Sequence, residues 1–230
     1  MISRVKNLTI TSVICAFSML ISADEVTCPC PSATTTTLAE QSTPFEENPA
    51  KLFQLAIEHQ NRGEYEQALH YYQMRLKIGG SDLDMYNAMM GIGMMKERLN
   101  MPAKEVEDSF EIAYSYQSNR AEPLYCLGVY YRNRGDFNAC YRILKVAAKI
   151  PFPEIETDRH LYEWGIMFAF SISAHQVGQY KDAMAAYDAL LANANVPVDY
   201  RRAVYANRQL ALSQMKDPRF MMQSINPASE

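Results

Sequence analysis

Asp82-Leu83-Asp84 sets two carboxylates in an Asp-x-Asp spacing that can hold a divalent cation. That motif needs a strand end to aim both carboxylates at one ion, and no alternating apolar–polar run lies nearby. Ser81 or Asp82 is better read as the cap of the following helix, where a short side-chain oxygen accepts a first-turn N–H. Gly91-Ile92-Gly93 lacks the preceding strand of a dinucleotide cradle and sits inside a helical pattern, so close helix packing accounts for it. The histidines His59, His70, His160 and His175 form no His-Glu-x-x-His motif and no pair one helical turn apart. No serine has a Gly-x-Ser-x-Gly context. Glu105, Glu107 and Asp108 gather near a helix start, where acids suit the helix dipole and water. The expectation is therefore a non-enzyme with no catalytic residues, no metal ligands and no cofactor.

Residues 1–23 have the layout of a secretory signal peptide. Arg4 and Lys6 make a basic start, residues 8–22 form an uncharged apolar run, and Ile21-Ser22-Ala23 offers small residues for cleavage. The run is short for a bilayer span, so cleavage and export are expected, an uncleaved anchor being the alternative. Cleavage takes two bases and no acid from the 22 basic and 26 acidic residues, leaving a net charge of −6. A mildly acidic chain with interspersed charges offers no footprint for nucleic acid and no pull toward anionic lipid. Residues 24–48 are rich in Thr, Ser and Pro and read as a disordered tether, and residues 217–230 as a flexible tail.

Four cysteines survive such cleavage. An even count in an oxidising compartment invites disulfides. Cys28 and Cys30, separated only by Pro29, bridge each other with difficulty; a crosslink to another chain or an open thiol pair suits them better. Cys140 occupies a small-residue position and is explained by packing, with a Cys126–Cys140 bond as the alternative. No histidine falls near these cysteines at zinc-ligand spacing.

The organisation of the chain lies in a recurring signature: Arg62-Gly63-Glu64-Tyr65, Arg134-Gly135-Asp136-Phe137 and Val177-Gly178-Gln179-Tyr180. Each glycine is followed two residues on by a ring and five on by a small residue (Ala68, Cys140 or Ala183), and each follows an amphipathic helical stretch. Each unit reads as helix, glycine turn, helix. The third is the most regular, with Leu124, Leu127, Gly128 and Tyr131 before its turn and Cys140, Leu144 and Ala147 after it. A second unit, with Tyr86, Met89, Ile92 and Gly93, then Val106, Phe110 and Ala113, has a turn at residues 98–102 without the glycine–aromatic signature. A last helix over about residues 198–215 would cap the stack. These residues resemble the tetratricopeptide repeat. The resemblance implies an all-α, right-handed superhelical solenoid of about four helix pairs plus a capping helix over residues 49–216. Helices of one unit are expected to cross at Ala56 with Ala68, Gly128 with Cys140, and Ser171 with Ala183.

Further strings resemble a narrower group: Arg120-Ala121-Glu122-Pro123, Pro151-x-Pro153, Tyr162-Glu163-Trp164-Gly165, Ser171-Ile172-Ser173-Ala174 and finally Asn207. Their order is similar to the helical-repeat region that trails family-2 glycosyltransferase domains. Ala169 and Phe170 stand where that pattern has an acid before Ser-Ile-Ser. The resemblance implies an appendage with a glycosyltransferase link, not a transferase.

In such a stack the first helix of each unit lines the inner surface. The inward positions include Phe53, Ile57 and Gln60; Tyr86 and Met90; Tyr125, Val129, Arg132 and Asn133; and Phe168, Ile172 and His175. Rings mixed with a few donors suit a protein or peptide partner, although aromatic residues also serve repeat cores. The leading expectation is an exported scaffold that holds such a partner in a concave groove. A carbohydrate-linked accessory is the alternative.

Overall fold

Asn48 starts the helical array: its side chain accepts the backbone N–H of Ala50 at 3.0 Å and of Lys51 at 3.2 Å, and Pro49 opens the first turn, where no N–H is needed. The computed structural model describes residues 48–153 and 158–216, and among these the chain is all-α. The expected signal, the rest of the tether, the tail and residues 154–157 lie outside the described residues.

Nine α-helices follow among the described residues: α1 (Pro49–Asn61), α2 (Tyr65–Ile78), α3 (Asp82–Arg98), α4 (Ala103–Tyr116), α5 (Glu122–Asn133), α6 (Phe137–Ala147), α7 (Ile166–Gln176), α8 (Tyr180–Ala192) and α9 (Val198–Lys216). A π-helical segment, Leu161–Gly165, leads into α7. Each helix packs on the next, and α3 with α5, α5 with α7 and α7 with α9 are also in contact. The odd-numbered helices from α3 onward thus form a continuous layer. No described helix is long and apolar enough to cross a membrane.

The glycine turns have one geometry. Gly63, Gly135 and Gly178 lie at φ +77°, +80° and +74°, left-handed backbone that side chains resist. After α5 the N–H of Gly135 reaches the Arg132 carbonyl and the N–H of Asp136 reaches back to Tyr131, both at 3.0 Å. This is a Schellman closure, which satisfies carbonyls that a helix end leaves open. The second unit closes in the same way without glycine. Asn100 takes the left-handed place at φ 51°, and Met101 N–H bonds Lys96 O at 3.1 Å. Asparagine tolerates that region better than other side chains, so the turn survives where its sequence signature does not. Pro102 then adds one residue before α4 begins.

Helix crossings depend on missing side chains. A Cβ on Gly93 would lie 2.8 Å from the Phe110 ring, and one on Gly128 would lie 2.7 Å from Leu144. The expected partner of Gly128 is corrected: Leu144, one turn beyond Cys140 along α6, faces it, while Cys140 is simply buried. Two core clusters result, one over α1–α5 and one over α5–α9, and Tyr131 and Ile143 pack against both.

Leucine at Gly128 must displace Leu144 in an otherwise filled seam. Gly128→Leu is expected to destabilise the protein by about 1–3 kcal/mol, the usual scale of overpacking. A lowered thermal midpoint checks it, and an unchanged melt would mean the α5–α6 crossing is looser than described.

Candidate binding surface

The two aspartates of Asp82-Leu83-Asp84 serve different neighbours. Asp84 pairs with the buried Arg75 guanidinium at 2.9 Å, while Asp82 accepts the Tyr116 hydroxyl at 2.9 Å. Ser81 caps α3 by accepting the Asp84 N–H at 3.2 Å. Among the described residues, no group of three or more His, Cys, Asp or Glu is gathered to hold a metal.

The strings Arg120-Ala121-Glu122-Pro123 and Tyr162-Glu163-Trp164-Gly165 build one polar node. Arg120 Nη2 and Nε donate to Glu122 Oε1 at 2.6 and 3.1 Å, and both residues are buried. Glu122 Oε2 accepts Tyr162 OH at 2.6 Å and Tyr86 OH at 3.4 Å. The Tyr162 oxygen in turn accepts the Ala121 N–H at 2.8 Å. The Arg120 guanidinium also covers the Tyr86 ring, 4.1 Å from its centroid. Burial, and then Glu122, push the hydroxyls of Tyr86 and Tyr162 above the normal phenol range, which keeps them as donors. One carboxylate therefore joins α3, the start of α5 and the π-helical segment before α7.

That π-helical segment sends Tyr162 and Trp164 to opposite neighbours. While Tyr162 meets Glu122, the Trp164 ring lies 4.5 Å from Tyr200 of α9 and 6.5 Å from Phe168, which itself is 5.1 Å from Tyr200. Trp164 and Tyr200 are half-buried, and the indole Nε1 has no hydrogen-bond partner among the described residues. Tyr125 of α5 lies within electrostatic reach of this cluster. Burial pushes its hydroxyl up to about 12, opposed by Arg132 and assisted by Tyr200 and Asp158. Arg132 is half-buried, with no ion-pair partner among the described residues. Helix α5, the π-helical segment before α7 and helix α9 thus carry a partly exposed cation and partly exposed rings.

The expected inward residues divide by exposure. Phe53, Gln60 and Arg132 are half-buried and Asn133 is exposed, so these can meet a partner. Gln60 also accepts the Tyr72 hydroxyl at 2.8 Å, and Phe53 packs edge-on against the same ring. Tyr86, Tyr125, Phe168 and His175 are instead buried, and a buried side chain offers a ligand nothing unless its surroundings move. His175 shows the reason. Its Nε2 meets Gln214 Oε1 at 2.7 Å and its Nδ1 meets Tyr187 OH at 3.0 Å. With Nε2 donating and Nδ1 accepting, the neutral ring satisfies both neighbours.

Trp164, Tyr200 and the Arg120–Glu122 pair were not expected at the site. The two strings contained Trp164 and the Arg120–Glu122 pair but conveyed no placement, and Tyr200 stands in neither. Where the narrower pattern has an acid, Ala169 and Phe170 are buried, and Phe170 stacks on Tyr141 at 5.9 Å. A carboxylate there would enter an apolar seam between α6 and α7. A second surface feature is an open groove of about 630 Å³ along α3 and α4, lined by Met89, Asp108, Glu111, Ile112, Ser115 and Tyr116. No protein-family model and no curated protein matches this chain.

Removing one side of a buried pair strands the other. Glu122→Leu is expected to cost about 3–5 kcal/mol, and Arg120→Met added to it should recover much of that loss. Chemical denaturation of the single and double variants checks this. Equal loss in both would mean that the pair adds nothing beyond its separate side chains.

Burial holds the His175 pKa below its ordinary value, against a smaller upward pull from Gln214. A histidine depressed in the folded state binds fewer protons there than when unfolded. Stability from this site is therefore full above about pH 6.5, the unfolded value, and falls as pH drops toward the lowered folded value. His175→Gln should flatten the stability–pH curve in that window, as read by denaturation at pH 5.5 and 7.5.

Proposed function

We propose that this protein is an exported, non-enzymatic scaffold of tetratricopeptide-like helix pairs that holds a protein or peptide partner on the layer of its odd-numbered helices. The observation that carries this reading is Arg132, a half-buried cation of α5 that, like Tyr200 of α9, acts electrostatically on Tyr125, with the half-buried Tyr200 ring packed against Trp164. Arginine and amphipathic rings are the residue types of interface hot spots, since they join large contact area to directional donors. Sequential packing with extra contact between odd helices supports a superhelical stack whose inner face those helices line. Export rests on the layout of residues 1–23.

The Trp164 and Tyr200 rings favour a second reading, a carbohydrate-linked accessory, because tilted aromatic faces are also sugar platforms. A glycosyltransferase would then be the working companion. The two readings separate by the bound species, protein in one and glycan in the other.

Arg132→Ala should weaken capture of a partner by roughly 2 kcal/mol while the helical circular dichroism is unchanged, and His70→Ala on exposed α2 should bind as the wild type does. Affinity capture from the native medium or envelope, with wild type and both variants in parallel, makes the test. A partner lost by His70→Ala and kept by Arg132→Ala would move the site to the other face.

A further inference from the structure

Helix α4 is apolar on the side that a solvated helix keeps polar. Val106, Phe110 and Ala113 turn one side to the core, and the remaining side carries Asp108, Glu111, Ile112, Ser115 and Tyr116. Ile112 is 56 % exposed and Tyr116 40 %. With Met89 of α3, these five residues line the open groove of about 630 Å³. The Tyr116 hydroxyl, bonded to Asp82, holds its ring in place there. Large apolar side chains gathered in an open groove and rimmed by charge mark a contact surface.

Helix α6 repeats the pattern with the opposite charge. Its buried Cys140, Leu144 and Ala147 take the places of Val106, Phe110 and Ala113, and Cys140 is a free thiol, which excludes a bond to Cys126. At the same offset Arg142 replaces Asp108, Lys145 replaces Glu111, Val146 replaces Ile112 and Lys149 replaces Ser115. All four replacements are exposed, Val146 by 48 %. Residues 105–111 hold four acids and no base, while residues 142–149 hold three bases and no acid. Local ion pairs take part of this charge: Lys96 with Glu105 at 3.8 Å, Lys104 with Asp108 at 2.5 Å and Lys145 with Asp182 at 2.7 Å. Glu111 and Arg142 are exposed and make no ion pair among the described residues, so both are available to a charge from outside.

We propose that a second copy of this chain covers these faces, α4 of each copy lying on α6 of the other about a two-fold axis. Helices α4 and α6 both pack on α5 and join it through short turns, so they run in the same direction. A two-fold axis along that direction sets an acidic face on a basic face twice over, the isologous arrangement that closes at two copies. An axis across the helices would instead put α4 on α4 and α6 on α6, like charge on like. Charge therefore selects the pairing, while Ile112, Tyr116 and Val146 supply the attraction. Val146 of one copy fills the groove beside Ile112 and Met89 of the other, and Glu111 meets Arg142. A basic peptide from elsewhere would fill the groove but leave the Val146 face of α6 bare; a second copy covers both. The dimer engages even-numbered helices, whereas the proposed partner engages odd-numbered ones.

Sedimentation velocity of the full chain over a range of concentrations tests the pairing. The expected result is a reversible monomer–dimer equilibrium with no larger species. Glu111→Lys and Arg142→Glu each set like charges together at both contacts and should weaken the dimer at least about tenfold. Both side chains are exposed, so the circular dichroism should not change. An equimolar mixture of the two variants should dimerise as the wild type does, because each reversed charge then meets its opposite. A chain carrying both substitutions should do the same, and Ile112→Ser should weaken the dimer without altering charge. A monomer at every concentration would overturn the proposal. So would a dimer indifferent to both charge reversals, a mixture that stays monomeric, or growth into open chains. No partner enters the experiment, so its outcome is separate from that of the capture assay.

Discussion

The Glu122 carboxylate is the point on which the helical layers are aligned. It stands in the first turn of α5, where the helix dipole favours an anion, and it faces Arg120 two residues earlier. Buried charges cost desolvation energy that only good geometry offsets. Here the guanidinium takes one oxygen while Tyr86 and Tyr162 donate to the other. The donors come from α3 and from the π-helical segment before α7, so satisfying one anion fixes the spacing of three successive units. Apolar packing in the same place would bury surface but leave register free, since hydrophobic contact is non-directional.

From that alignment the candidate surface follows. Tyr162 is drawn toward Glu122, and the wide π-helical turn leaves Trp164 facing the opposite way, onto Tyr200 and Phe168. Arg132 stands near the far end of α5 and influences Tyr125, which the Tyr200 hydroxyl also influences. Partly exposed rings of the π-helical segment and α9 and a partly exposed cation of α5 thus come from neighbouring parts of the stack. Tyr86, Tyr125, Phe168 and His175 are buried among these helices.

Much of the helical organisation was legible because its signals are local. The glycine turns are forced by a left-handed backbone, and the start at Pro49 and last helix near residue 198 follow from capping and periodicity. What could not be read depends on geometry between helices. Asn100 does the work of a turn glycine, but asparagine is common elsewhere and carries no unique signature. Gly128 was recognisable as a close-approach residue, while its partner, Leu144 and not Cys140, depends on how α6 is rotated. The same limit separates Arg132, half-buried, from Tyr125, two turns earlier on the same face and buried, since helical period alone does not say how deep a neighbouring helix reaches. The strings around Glu122 and Trp164 were visible, but only their meeting in space shows one as a clamp and the other as part of a surface.

The most direct measurement of this arrangement is native-state hydrogen exchange of the backbone amides of α3, α5 and α7 under increasing denaturant. If the Glu122 node couples the three units, their slowest amides should merge into one opening transition with a shared free energy. Independent opening, with α3 released at a free energy well below that of α7, would contradict the claim that one buried carboxylate holds the layers together.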